Sequence, residues 1–123
     1  MSVASDIKSI IAELRKAQKI DTCLVISRNG IPIAWEMQND SQVETLATLC
    51  ATILGAADVV YGGMGKPKTS RIAMRSNGDI VLITGLGTKA LVVLSSSTLD
   101  EDSLCKVAIE ASTKIEEVLK REA

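Results

Sequence analysis

The sequence contains no histidine and no phenylalanine. Without imidazole it cannot assemble a Ser-His or Cys-His nucleophile pair, nor a zinc centre of the kind that uses histidine. Its aromatic content is Trp35 and Tyr61 alone, too little for the stacking platforms that hold RNA or single strands. Charge of one sign is missing too. Fourteen Lys and Arg against 15 Asp and Glu leave a formal net charge of −1, which gives nucleic acid or an anionic membrane no field to follow. Cys23, Cys50 and Cys105 are far apart and form no CxxC motif. They read as reduced thiols in a cytoplasmic protein rather than as a disulfide framework. The first residues show no basic segment followed by an apolar run, so no signal peptide is expected. These absences exclude much standard catalytic and metal-site chemistry before any motif is read.

What is present suits one globular domain over residues 1–123. The chain is 46% apolar and 24% charged, and a chain of this length buries roughly two-thirds of its unfolded surface. From about Ser5 to Lys19, Ile7, Ile10, Ile11 and Leu14 follow helical spacing, with Ser5 as the expected N-cap. Thr22–Ser27 is β-rich, Asn29-Gly30 turns the chain, and Ile31–Met37 reads as a strand carrying Ile31, Ile33, Trp35 and Met37 on one face. Pro32 places that strand at a sheet edge. A capping box, Ser41-x-x-Glu44, opens a central helix that runs to about Tyr61 and stops at Gly62-Gly63. Strands follow at about Thr69–Arg75 and Ile80–Thr84, joined by Asn77-Gly78, and then at Ala90–Ser96. A second box, Thr98-x-x-Glu101, starts the last helix. The order α-β-β-α-β-β-β-α, built from hairpins, specifies an α+β fold in which helices cover both faces of a five-stranded antiparallel sheet.

The central helix is the unusual element. No charged residue occurs from Thr45 to Ala57, a run too short and too threonine-rich for a membrane span. At about 100° per residue, its bulky face is Val43, Leu46, Leu49, Cys50, Ile53, Leu54, Ala57, Val60 and Tyr61, expected against the sheet. The opposite side is small and uncharged in its middle. Gly55 costs about 1 kcal/mol against alanine within a helix, and a closely approaching surface at Thr48, Ala51, Thr52 and Gly55 would account for it. Cover by a second copy is the simplest arrangement.

Two loops mimic phosphate sites. Gly85-Leu86-Gly87-Thr88-Lys89-Ala90 matches the dinucleotide fingerprint, but a strand follows where the mechanism needs a helix N-terminus. Gly62-Gly63-Met64-Gly65-Lys66 is followed by Pro67 instead of Ser or Thr, which the phosphate loop does not tolerate. The basic set Lys66, Lys68, Arg71 and Arg75 reads first as charge guarding an exposed strand edge, and otherwise as a contact for an acidic partner. Asp100-Glu101-Asp102 complements a helix dipole.

Taken together, the amphipathic first helix, the hairpin from Cys23 to Ala34 with its Gly30-Ile31-Pro32-Ile33-Ala34 turn, the alanine-rich central helix and the strand Ala90-Leu91-Val92-Val93-Leu94 resemble the Roadblock family of dynein light chains and prokaryotic small-GTPase regulators. The chain departs from the family in having Asn29 where an acidic residue commonly precedes the turn glycine. The resemblance implies a Roadblock/profilin-like fold and a dimer whose sheets join through their third strands while the central helices pack side by side. It also implies a scaffold or regulator of a Ras-like small GTPase with no catalytic residue or cofactor. The interface so expected is Thr48, Ala51, Thr52, Gly55 and Val59 on the helix with Arg71, Ala73 and Arg75 on the strand. The alternative is a small-molecule sensor of PAS or GAF architecture, which a polar and aromatic pocket would mark.

Overall fold

Ala90-Leu91-Val92-Val93-Leu94 shows no apolar–polar alternation, as expected of a strand buried on both faces. In the computed structural model, which describes residues 2–121, these residues occupy the centre of the sheet. The domain expected over 1–123 extends past the described residues at Met1, Glu122 and Ala123. The elements are α1 (Val3–Ala17), β1 (Thr22–Ser27), β2 (Pro32–Glu36), α2 (Val43–Gly63), β3 (Arg71–Ser76), β4 (Asp79–Leu86), β5 (Ala90–Ser96) and α3 (Glu101–Arg121). All strand pairs are antiparallel, in the order β2-β1-β5-β4-β3. The Pro32 strand is therefore an edge, as its missing amide requires, and β3 forms the other edge.

Alternation along the inner strands divides the core in two. One layer joins Cys23, Val25, Leu82, Val92 and Leu94 to Ile7, Ile11 and Leu14 of α1 and to Leu104, Ala108, Ala111 and Ile115 of α3. The other joins Leu24, Ile26, Ile83, Leu91 and Val93 to α2. Helices thus lie on both faces, α2 alone on one of them.

Local chemistry departs from expectation at four points. The cap of α1 is Ser2, whose Oγ accepts from the Ser5 amide at 3.1 Å, so the helix starts earlier than Ser5 implies. Neither capping box forms. Asn39 Oδ1 accepts the Ser41 amide and the Asp40 carbonyl accepts the Val43 amide, which keeps Ser41 in a turn before α2. At α3, Asp100 accepts the Ser103 amide at 2.8 Å and displaces Thr98 as the cap. Gly62 and Gly63 remain helical. The helix ends at Gly63 with Met64 as its C-cap, and Gly65 just beyond is in the left-handed region at φ +71, beside a Lys66 amide bonded to the Tyr61 carbonyl at 2.9 Å.

A register shift between Val25 and Ile26 inserts one extra residue in β2. This bulge resets the alternation. Ile33 packs with the α1–α3 layer, Trp35 and Met37 with the α2 layer, and Ile31 stands exposed, so the four do not share a face. Both other hairpins turn as expected. Asn77 and Gly78 adopt φ +50 and +86 between paired Ser76 and Asp79, and Gly87 turns β4 into β5.

Candidate functional site

The surface of greatest interest follows from the narrowness of the contact between α2 and the sheet. The buried residues of α2 are Val43, Ala47, Cys50 and Leu54, a stripe at spacings of four, three and four. Of the expected bulky face, Leu46, Ile53 and Ala57 are only half-buried, while Leu49, Val60 and Tyr61 are exposed at 52%, 58% and 40%. The reason is geometric, since one helix on a sheet covers a single stripe and α2 is apolar nearly all round. Leu49, Val59, Val60 and Tyr61 of α2, with Met64 just beyond it, are therefore uncovered apolar side chains. Val59 alone among them belonged to the expected interface, and the sign of the rest in the sequence was an apolar arc too wide for one contact.

The helix is 21 residues long and by length and composition could cross a membrane, longer than the uncharged run alone indicates. Its buried stripe and a bond from the Thr69 amide to Asp58 Oδ1 at 3.0 Å tie it into the domain. That bond marks the side of α2 nearest β3. Ala51 and Gly55, seven and three positions before Asp58, share that side. A Cβ added at Gly55 would meet nothing within 4 Å, and Thr48, Thr52 and Val59 are exposed.

The β3 edge supplies the second half of the surface. The Gly85 amide bonds to the Ser70 carbonyl at 2.9 Å. Antiparallel ladders alternate, so Ser70, Ile72, Met74 and Ser76 bond inward to β4. The amides and carbonyls of Arg71, Ala73 and Arg75 point away from the sheet. Their side chains lie on the face opposite α2. Ala73 packs with the α1–α3 layer and Arg75 pairs with Glu101 of α3, whereas Ile72 packs with the α2 layer. The eight expected interface residues thus divide, five on α2 and three on the other side of the sheet, with the β3 backbone between them.

The thiols are placed as core residues. Burial pushes the Cys23 thiol up to about 12, with the Glu36 carboxylate adding to the effect, and burial also raises that of Cys50. Neither is a thiolate nucleophile at neutral pH. Trp35 is half-buried and donates from Nε1 to Asp40 Oδ2 at 3.1 Å. Among the described residues no group of three or more Cys, Asp or Glu side chains is placed to hold a metal ion.

The Roadblock/LC7 domain family profile matches residues 6–96. This chain belongs to the Roadblock/LC7 family. Among solved structures, it is similar to Myxococcus xanthus MglB, with a TM-score of 0.89 at 16% identity, covering 98% of this chain and 92% of that one. The gliding protein MglB of Thermus thermophilus aligns with a TM-score of 0.87 at 17% identity, over 98% and 93% of the two chains. An MglB in a tetrameric arrangement gives 0.89 at 16% identity, over 100% and 94%. At such identities the likeness concerns the fold. No curated protein matches this Roadblock/LC7 sequence. Roadblock/LC7 domains are generally regulatory rather than enzymatic.

Proposed function

We propose that this Roadblock/LC7 domain is a non-catalytic interaction module that associates with a second copy of itself and holds a Ras-like small GTPase, as a regulator or a scaffold, in the cytoplasm. The observation that carries the reading is the exposed, small-residue face of α2 at Thr48, Thr52, Gly55 and Val59 beside a strand edge with free backbone groups. In a twofold dimer each copy would contribute the same patch, with Thr48, Ala51, Thr52, Gly55 and Val59 meeting across the helices and Arg71, Ala73 and Arg75 meeting backbone to backbone. Family membership supports a GTPase partner, and the tetrameric MglB arrangement supports self-association. A regulator of this kind acts by binding one arrangement of the GTPase switch loops more tightly than another. It needs neither a nucleophile nor a cofactor.

The test is capture of a small GTPase encoded in the same genome, loaded in turn with GDP and with a non-hydrolysable GTP analogue, combined with sedimentation of the free domain. The expected result is a dimer that retains the GTPase in one nucleotide state. A monomeric domain that retains neither form would overturn the reading.

A further inference from the structure

Strands β1 and β4 finish at the same end of the sheet, where the tip of the first hairpin meets the β4–β5 turn and the loop leading into β3. A cleft of about 520 Å³ lies there between Arg28, Asp58, Lys68, Ser70, Gly85 and Thr88, within the roughly 300–1,000 Å³ of small-molecule sites. It joins the Gly85–Ala90 turn to the segment just past Gly62–Lys66, the two stretches whose sequences only imitate phosphate loops. Arg28 is fixed in place at its centre. The half-buried side chain donates from Nη2 to the Gly87 carbonyl at 2.8 Å. A Cβ built on Gly85 would stand 2.7 Å from that nitrogen, so the guanidinium rests in the space this glycine leaves empty. Gly85 is not among the glycines of positive φ, and close approach by Arg28 accounts for a glycine inside β4. Arg28 makes no ion pair among the described residues. A fixed positive charge therefore lines the cleft with a neutral carbonyl as its partner.

The donors that remain accessible narrow the choice of ligand. Arg28 Nε is enclosed and Nη2 is engaged, which leaves Nη1 as the guanidinium nitrogen open to a ligand. A planar carboxylate is held best by two parallel N–H groups, a fork that Arg28 cannot present. One guanidinium N–H beside an ammonium acting as a point charge suits a tetrahedral phosphate instead. Lys68 supplies the ammonium, exposed and without an ion pair among the described residues. The Ser70 and Thr88 side chains are exposed beside it, whereas the Thr69 hydroxyl is engaged by the Arg71 carbonyl at 3.1 Å. Asp58 is the acidic group of the lining, and its Oδ1 accepts the Thr69 amide at 3.0 Å, which holds the loop against α2. Two cations against this one carboxylate leave a net positive charge. Lys66 and Lys89 lie in the same two loops, where no acidic residue occurs. We infer that this cleft binds a phosphomonoester, with Arg28 and Lys68 as its cationic contacts. The inference is independent of self-association and GTPase docking, since no residue of the lining belongs to the interface proposed for the dimer.

Amide NMR titration of the isotope-labelled domain at constant ionic strength tests it with glycerol 3-phosphate, inorganic phosphate and acetate. Sedimentation with phosphatidylcholine vesicles that carry or lack phosphatidic acid runs beside it. Both phosphate probes are expected to give saturable shifts confined to amides near Arg28, Ser70, Gly85 and Thr88, with acetate at least about tenfold weaker. Saturation in solution assigns the site to a free phosphomonoester. Arg28-dependent sedimentation with the acidic vesicles alone assigns it to a lipid headgroup of the same chemistry. Arg28→Met and Lys68→Met should each weaken binding about tenfold, and Lys68 lies in an exposed loop whose change leaves the fold intact. Gly85→Ala keeps every donor but sets a methyl where the guanidinium rests, so it should weaken binding while the domain stays folded by circular dichroism. The inference fails if neither the phosphate probes nor the acidic vesicles bind saturably, if acetate matches glycerol 3-phosphate, or if Lys68→Met and Gly85→Ala both bind like the parent. The sedimenting mass of the free domain should be the same for parent and variants, which separates this outcome from any failure of the dimer.

Discussion

Gly30 lies against Thr48: a Cβ built on the glycine would stand 3.1 Å from the Thr48 Cα, and the glycine holds φ +89. The tip of the first hairpin is thereby pressed onto the backbone of α2. Gly30→Ala is expected to destabilise the domain by about 1–3 kcal/mol for the left-handed backbone alone, with more from the contact because a backbone atom cannot swing aside. A denaturant melt measures it, and an unchanged midpoint would show that α2 is not held at this point.

Gly55 presents the reverse case. Open space surrounds its absent side chain, so Gly55→Ala should stabilise the isolated domain by about 0.5–1 kcal/mol. If another copy approaches here, the same methyl should weaken association even as the fold gains. Thermal melting at low concentration and sedimentation at high concentration separate the two effects. Gly55→Arg should abolish association altogether, and an unchanged sedimenting mass would remove α2 from the interface.

At the strand edge, Ala73→Pro removes an amide that points away from the sheet, whereas Met74→Pro removes one that bonds β4. The first variant should remain folded by circular dichroism and sediment as a monomer. The second should lose about 1–3 kcal/mol of stability through the ladder bond left unmade. Equal damage from both would show that the edge is not the joint.

The carboxyl of Asp100 is held below the usual carboxylate range, first by the Ser103 amide, next by the Ser103 side chain, and further by Lys106. A group whose folded pKa is depressed adds stability above its unfolded pKa and loses it as pH falls through the folded one. Acidification below the ordinary aspartate range should therefore loosen the start of α3. Asp100→Ala should remove that part of the acid dependence, as amide exchange across the first turn would show.

Thiol labelling under native conditions should modify Cys105, which is half-buried, while Cys23 and Cys50 remain protected until the domain unfolds. Mass spectrometry after brief labelling distinguishes one adduct from three. Early modification of Cys23 would mean that the sheet beneath α1 opens readily.

The element order, the edge position of the Pro32 strand and the tight turn at Asn77-Gly78 were legible because each has a local cause: hydrophobic period, a missing amide, a positive φ. The caps were less so. Asn39, Asp40 and Ser41 are adjacent groups with similar capping ability, as are Thr98 and Asp100, and the choice among them is made by the incoming chain. The face assignment of α2 depended on how much helix surface one sheet can cover, which no helical projection contains. The β2 bulge likewise has no signature in a run of alternating Ile, Ala and Trp.

Arg71, Ala73 and Arg75 give the open edge three amides and three carbonyls, and the Arg71 carbonyl is already engaged by the Thr69 hydroxyl at 3.1 Å. At about 0.5–1.5 kcal/mol net for each bond, the remaining five groups contribute about 2.5–7.5 kcal/mol, which covers only the lower part of the roughly 4–15 kcal/mol that immobilising a partner costs. An added strand could therefore set orientation without securing residence. Lifetime would then be graded by whatever greasy contact the neighbouring helix provides, and substitutions in α2 should tune in small steps how long the complex survives, whereas a proline at the edge blocks its formation outright.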